Sequence, residues 1–320
     1  SRLAIDDAEL RIDHDDGIGI GINLGSALGG VSFGEEQHLR YFGGGLKAVD
    51  PSVALAVFGG AGATNVAIEF GLKGPSLGNA NSCASGANAI GEAFRMIKRG
   101  EVDVMLVGGV EAPLAPMTFG AFSLIRALST RNDDPATASR PFDRGRDGFV
   151  LAEGAAMLVL EDYEHAVDRG KEPLAEILGY GATNDAYNMI APRPDGSQAA
   201  RAMTLAMREA QVDPYDIEYL NTHSTSTPLG DTAEALAVAT ALGPASKTIP
   251  ISGTKGYYGH PLGASGSIEA ALSVLILQRG WLPPTINLEA TNVDTELSLI
   301  TGEGVERAVD CVMSNSLGFG

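Results

Sequence analysis

Residues 102–112, VDVMLVGGVEA, are a continuous apolar run from Val104 to Val110, bounded by Asp103 and Glu111, with no alternation of polar and apolar positions. A run of that kind reads as a strand buried on both faces, the situation of a sheet covered by helices on either side. The same text recurs. IGIGINLGSALGG (18–30) is a buried strand breaking into a glycine turn, and SQAARAMTLAMREAQVDPYDIEYLNTH (197–223) reads as helix, proline turn and buried strand. IPISGTKGYYGHPLGASGSIEAALSVLIL (249–277) is strand, glycine-rich loop and helix, and AVDCVMSNSLGFG (308–320) is a strand running into a glycine turn. The 41 glycines sit singly or in pairs between such runs, where they serve tight turns and close backbone approaches rather than disorder. An α/β protein follows, and 320 residues at 44% hydrophobic content suffice for one large domain or two packed halves.

The segments between follow the same grammar. Residues 31–45 predict a charged helix carrying His38, and 51–72 a single helical run rich in Ala, Val and Gly. Residues 126–150 are turn-rich, with arginines offset by aspartates, and read as a solvated loop network. AAMLVLEDYEHAVDRG (155–170) is strand then helix, with Glu161, Asp162 and Glu164 near the helix start, and 174–190 reads as a strand followed by an irregular loop. TSTPLGDTAEALAVATALG (225–243) begins a helix behind Pro228. The opening SRLAIDDAELRIDHDDG reads as a cut end. His14, His38 and His165 lie among charges, as surface histidines do, and Cys311 is expected inside the last apolar strand as core.

A formal charge of −18 repels phosphate backbones and anionic lipids, which argues against nucleic-acid and membrane partners. No stretch approaches the roughly 20 apolar residues of a membrane span and the N-terminus does not read as a signal peptide, so a cytoplasmic location is expected. Cys83 and Cys311 are the only cysteines, which leaves no disulfide framework and no four-cysteine zinc site.

Residues 74–100, GPSLGNANSCASGANAIGEAFRMIKRG, put Cys83 just ahead of a helix marked by Ala87, Ile90, Phe94 and Ile97. Helix-start N–H groups and the dipole favour a thiolate there, and Ala84, Ser85 and Gly86 are small enough to admit a substrate carbonyl. Taken alone, a packed core cysteine explains Cys83 as well. His223 and His260 likewise follow apolar strands and adjoin small residues, and strand ends are where α/β folds collect active-site groups.

Together these segments resemble the β-ketoacyl-[acyl-carrier-protein] synthases of the thiolase-like condensing enzymes, most of all the elongating synthase II type. NSCASG resembles the family's nucleophile turn, NTHSTSTPLGD its first histidine motif, GTKGYYGHPLGASG its lysine and second histidine motif, and NSLGFG its C-terminal glycine loop. ALSTRND, ASRPFD and RDGFVLAEGA read as the same family. The resemblance implies two related α/β halves, 1–165 and 166–320, stacked as a five-layer αβαβα sandwich with the pocket between them. It implies that the family's first strand-helix unit and last strand lie outside this sequence.

By the same resemblance Cys83 carries the acyl thioester, and His223 and His260 stabilise the enolate left by decarboxylation of a malonyl thioester. The oxyanion at Cys83 is held by the N–H groups of Cys83 and Phe319. Lys255 and Glu269 steady His260 and the local charge, with Asp231 in support behind the reacting groups. Thr225 and Thr227 line the channel for the phosphopantetheine arm, Asp185 and Tyr187 belong to a gating loop, and Phe319 is the acyl gate. Acyl carrier protein is the partner, with Arg126 and Arg131 as the docking residues. A homodimer, no metal and no resident cofactor are expected, the substrates riding on the carrier's phosphopantetheine. Ser224 stands where the family usually has glycine, Asn81 and Ser82 where Thr-Ala is common, and Asn188 where many members carry histidine. A CoA-primed synthase or a thiolase fits less well because of His260 in GHPLG, and a modular polyketide domain because of SCASG. A non-catalytic chain-length-factor-like partner would lack Cys83, and a zinc site would need short ligand spacing.

Overall fold

The computed structural model describes residues 1–12 and 16–319, so His14 and Gly320, the last glycine of NSLGFG, lie outside the described residues. Two compact units emerge: Ser1–Phe122 with Leu151–Pro173 and Pro261–Ile268, and Ser123–Val150 with Leu174–His260 and Glu269–Gly320.

The first unit is built on the apolar runs. β1 (Ile20–Gly25) and β3 (Val104–Glu111) lie parallel at the centre of a four-stranded sheet, with β2 (Ser76–Asn79) parallel on one edge and β4 (Gly154–Glu161) antiparallel on the other. All six residues of β1 are buried, and Ile20, Ile22, Leu24, Val104 and Leu106 form one core with Ile5, Ala63 and Leu72. Each large aliphatic side chain so placed contributes about 1.5–3 kcal/mol. Ahead of the sheet runs α1 (Arg2–Asp7), and after β1 comes α2 (Val31–Gly44), carrying an exposed His38. The run expected as one helix over 51–72 is instead α3 (Val53–Ala56) and α4 (Ala61–Phe70), parted at Gly59 and Gly60, where the helical ladder gives way to a turn. α5 (Ser85–Lys98) buries Ala89, Ile90 and Ala93. Its first turn lies so close to β1 that a Cβ on Gly25 would strike the backbone of Ser85. α6 (Pro116–Leu124) follows β3, and α7 (Tyr163–Asp168), capped by the Asp162 carboxylate, follows β4.

The second unit carries a parallel sheet of order β6 (Ile251–Gly253), β5 (Tyr219–Thr222), β9 (Val312–Ser314). α8 (Ser197–Ala210) and α9 (Pro228–Leu242) pack on it through Met203, Met207, Val238 and Leu242 against Leu220, Ile251 and Met313. α10 (Lys255–Tyr258) and, from Glu269 onward, α11 (Ser265–Arg279) follow β6, and β7 (Trp281–Leu282) pairs antiparallel with β8 (Val305–Glu306).

Several expectations need correcting. Residues 174–190 contain no strand: the segment lies along α8, where a Cβ on Gly179 or Gly181 would meet the carbonyls of Ala206 and Ala202. Residues 126–150 are a solvated loop only in part: Arg126, residues 132–136 and Arg144 are exposed, whereas Ser139, Arg140, Phe142, Asp143, Arg146 and Phe149 are buried, with Arg140 paired to Asp143. Cys311 precedes β9, half-buried against the core. Lys255 opens a helical turn rather than riding in a loop.

Candidate active site

Cys83 sits in a 3-10 turn, Ser82–Ala84, that leads directly into α5, and is 5% exposed. Ser82 before it has φ +49°, a left-handed conformation uncommon for a residue with a side chain. Ser85 Oγ donates to the Ser82 carbonyl at 2.6 Å and Ala84 N to the Asn81 carbonyl at 3.0 Å, which holds that conformation. A Cβ on Gly86 would come within 2.8 Å of the Gly263 carbonyl oxygen, and one on Gly109 within 2.7 Å of the same atom. The turn that follows His260 in sequence therefore lies directly on the first turn of α5. The Glu111 carboxylate pins that turn from below, accepting from Gly263 N (2.9 Å), Ala27 N (2.6 Å), Leu28 N (3.1 Å) and Ser26 Oγ (3.1 Å). Burial nevertheless pushes its pKa up from the usual carboxylate range.

His223 leaves the C-terminal end of β5, whose four residues are all buried. Its backbone N–H and that of Ser224 donate to the two oxygens of Glu234, at 2.8 and 2.7 Å, so one carboxylate from α9 sets the chain direction at the histidine. Asn315, just past β9, donates its amide to Glu234 Oε1 at 3.2 Å and its backbone N–H to the Asn221 carbonyl at 2.9 Å. The loop entering NSLGFG is thereby tied to the same turn. His260 is fixed by its N–H on the Val150 carbonyl at 2.7 Å and by the Phe149 ring, edge to face at 5.1 Å. The rings of His223 and His260 meet edge to face at 5.2 Å, and both residues are buried.

Lys255 and Glu269 form a fully buried ion pair, with Ser139 Oγ donating to the Lys255 carbonyl at 2.8 Å. Burial pushes Glu269 up to about 7 even with the lysine beside it. Burial first, then the Lys255 charge, holds His223 and His260 well below the usual histidine range; for His223 the neighbouring His260 adds to this. Both imidazoles are neutral at pH 7 and are able to donate N–H bonds to a developing oxyanion. The Nδ1 of His223 has no hydrogen-bond partner.

The other expected residues divide by setting. Thr225 and Thr227 bring their hydroxyls to 3.2 Å, and Asp231 is wholly buried behind them, accepting from Ser226 N and Phe142 N. Burial pushes Asp231 up to about 7. Asp185 is half-buried and accepts from Arg193 N at 2.8 Å, while Tyr187 beside it is exposed, as is Asn188, whose side chain accepts from Ile190 N and Ala191 N. Phe319 is half-buried. Arg126 is exposed, whereas Arg131 is half-buried and donates to the Gly145 carbonyl at 3.2 Å. Sequence reasoning missed Glu234 and Glu111, and it quoted Arg146 and Phe149 (in RDGFVLAEGA) and Asn315 (in NSLGFG) only as parts of motifs, without a role; only the pairing of distant segments reveals what each holds.

Residues 1–166 match the family described as beta-ketoacyl synthase, N-terminal domain, and residues 174–289 that described as beta-ketoacyl synthase, C-terminal domain. A 3-oxoacyl-[acyl-carrier-protein] synthase 2 of Staphylococcus aureus is 43% identical over all 320 residues, which cover 79% of that protein. Among solved structures, a type II PKS ketosynthase in complex with its acyl-carrier protein (AntDE:AntF) superposes with a TM-score of 0.95 at 34% identity, over 99% of this chain and 79% of that one. A beta-ketoacyl synthase from Burkholderia phymatum superposes with a TM-score of 0.89 at 40% identity, over 100% of this chain and 77% of that one.

Proposed function

The chain belongs to the beta-ketoacyl synthase family, with its thiolase-like fold, and on that premise we propose that it elongates acyl chains by two carbons in type II fatty acid biosynthesis. The observation that carries the mechanism is the buried, edge-to-face pair His223 and His260, whose burial disfavours their charged forms.

Cys83 takes the acyl group from a carrier-bound thioester, forming its own thioester and releasing the carrier thiol. Malonyl-carrier then loses CO2, and the electron pair of the broken C–C bond becomes the enolate of an acetyl thioester. The N–H groups of His223 and His260 stabilise its oxygen, so no strong base is needed. The enolate carbon attacks the Cys83 thioester; the oxyanion rests on the N–H groups of Cys83 and Phe319, the C–S bond breaks, and Cys83 recovers a proton. Burial and then the Lys255 charge keep the imidazoles neutral, Glu269 balances that lysine, and Asp231 braces the turn that bears Thr225 and Thr227, which contact the phosphopantetheine arm. Asp185, Tyr187 and Phe319 form the gate. No resident cofactor enters, and the halves 1–165 and 166–320 belong to the same reading, which the family boundaries at 166 and 174 support.

Acyl carrier protein is the partner, as in the solved ketosynthase complex, with exposed Arg126 and the neighbouring Arg131 as its docking residues. A homodimer is supported by β2, an edge strand whose Ser76, Leu77 and Gly78 are exposed. A cytoplasmic site of action accords with the pathway, and no helix among the described residues is long and apolar enough to cross a membrane. The likeness to the PKS ketosynthase favours a polyketide pathway as the second reading, with identity to synthase 2 of fatty acid synthesis the stronger signal. The test is mass spectrometry of the wild type and Cys83→Ser after acyl-carrier and then malonyl-carrier protein. An acyl adduct on the wild type alone, discharged as a product two carbons longer, is expected; no adduct on folded protein leaves a non-catalytic partner subunit.

A further inference from the structure

Between Thr225 and Thr227 stands Ser226, at φ +69°, a backbone state that disfavours any residue with a Cβ and persists only where its surroundings over-determine it. Every polar group of Ser226 is engaged. Its N–H donates to Asp231 Oδ1 at 3.1 Å, its Oγ accepts from Arg140 N at 3.0 Å, and its carbonyl accepts from Gly148 N at 3.1 Å. The two threonine hydroxyls on either side of it lie 3.2 Å apart, and Thr227 Oγ1 also accepts from Gly230 N at 3.2 Å as the N-cap of α9.

What fixes the far side of this turn is Arg146, whose side chain is 4% exposed. Its Nε donates to the Thr227 carbonyl at 3.3 Å and one Nη to the Pro228 carbonyl at 3.1 Å and to Thr232 Oγ1 at 2.8 Å. The other Nη donates to the Asp143 carbonyl at 2.8 Å and Asn292 Oδ1 at 2.6 Å. All the donors of the guanidinium are thus spent on this turn and the segments packed around it, and Asp231 Oδ2 lies 3.7 Å from Nε. A lysine offers three donors at one point and cannot bridge those acceptors.

We propose that Arg146 is a positioning residue for recognition of the phosphopantetheine arm: it holds the 225–227 turn in the strained form that presents Thr225 and Thr227 as one paired hydroxyl site. The proposal rests on the reading that these threonines contact the arm, and it locates arm recognition in a buried fork that never touches substrate.

The experiment compares two substrates on the full chain: an acyl thioester of pantetheine, and the same acyl thioester of ethanethiol, which lacks the arm's amides. Arg146→Lys is expected to raise KM for the pantetheine thioester about tenfold, the loss of roughly one hydrogen bond's net worth. Its kcat, and the rate of Cys83 acylation by the ethanethiol thioester, stay within about twofold of wild type. Equal losses on both substrates mean a merely structural arginine, and no loss on either removes the role; both overturn the proposal. Ser226→Gly covers the case in which Arg146→Lys does not fold, because glycine adopts φ +69° without strain and loses only the Oγ contact. It is expected to raise the pantetheine KM in the same selective way, by a smaller factor. Thr225→Val/Thr227→Val separates the two ideas. If that double variant leaves the pantetheine KM unchanged, the arm reading fails and the proposal falls with it. If it raises KM while Arg146→Lys and Ser226→Gly do not, the arm reading stands and only the role of Arg146 is lost.

Discussion

The imidazole of His223 meets that of His260 edge to face, with centroids 5.2 Å apart and planes inclined by 85°. The two rings reach this arrangement from separate strands, His223 off β5 with its N–H on Glu234 and His260 beyond β6 with its N–H on the Val150 carbonyl. Two neutral donors so placed suit one enolate oxygen. His223→Ala and His260→Ala are each expected to slow CO2 release from malonyl-carrier by on the order of 10²–10³. Cys83 should still accept an acyl group in both. A His260→Ala enzyme that decarboxylates at the wild-type rate would falsify the assignment.

Lys255 disfavours the protonated form of both histidines, second only to burial. Replacing it by methionine leaves the aliphatic volume, lets Glu269 stay protonated, and removes that repulsion. Both histidine pKa values then rise, so the acidic limb of the decarboxylation profile moves to higher pH in Lys255→Met. The check is the pH dependence of CO2 release in the two proteins; coincident acidic limbs would show that burial alone sets the protonation state.

Asp231 makes a stability prediction whose sign is opposite to that of a surface ion pair. Its folded pKa, about 7, lies above the ordinary aspartate value because the side chain is buried. Between about pH 4 and pH 7 the unfolded chain releases this proton and the folded chain keeps it, so raising pH through that window destabilises the fold. Asp231→Asn cannot titrate and removes that contribution. Its urea midpoint, measured at intervals from pH 4 to 8, should fall less steeply with rising pH than that of wild type. Parallel curves would mean that Asp231 is ionised throughout.

Glu234 carries no signal in the sequence, yet its two oxygens fix the backbone at His223 and Ser224 and receive Asn315. Glu234→Gln turns one acceptor into a donor facing an N–H. A loss of about 1–3 kcal/mol in stability is expected. Decarboxylation should suffer more than Cys83 acylation, because the fault lies at the His223 turn. Urea unfolding and the two half-reactions measure this, and equal loss in both half-reactions would count against it.

Much of this was legible in the chain. Apolar runs announce β1 and β3 because a strand covered on both faces has no polar side to show; Cys83 falls at the turn that opens α5, His223 where β5 ends, and His260 just past the helical turn that follows β6. What stayed hidden depends on partners far along the chain. The arginines of 126–150 look solvated because text shows charge and not what neutralises it; in the fold Arg140 meets Asp143 and Arg146 meets Asn292 and the carbonyls of Thr227 and Pro228. Residues 174–190 have the composition of a strand, but the sheet of their unit is completed by β6, β5 and β9, and their glycines serve contact with α8 instead.

The serine at 224, where the family usually has glycine, has its own consequence. Its hydroxyl lies 2.8 Å from Thr222 Oγ1 and occupies the space into which a Cβ on Gly253 would project. Beyond Ser224, Pro141 Cβ would stand 3.0 Å from that added carbon. Gly253→Ala therefore overpacks a fully buried corner between β5 and β6, at a cost of about 1–3 kcal/mol. Ser224→Gly removes the nearest obstacle, so the double variant Ser224→Gly/Gly253→Ala should recover part of the loss, with Pro141 accounting for the remainder. A double-mutant cycle on urea midpoints measures the coupling directly. Additive losses would show that the corner relaxes around the methyl group and that glycine at 253 is not required by the serine at 224.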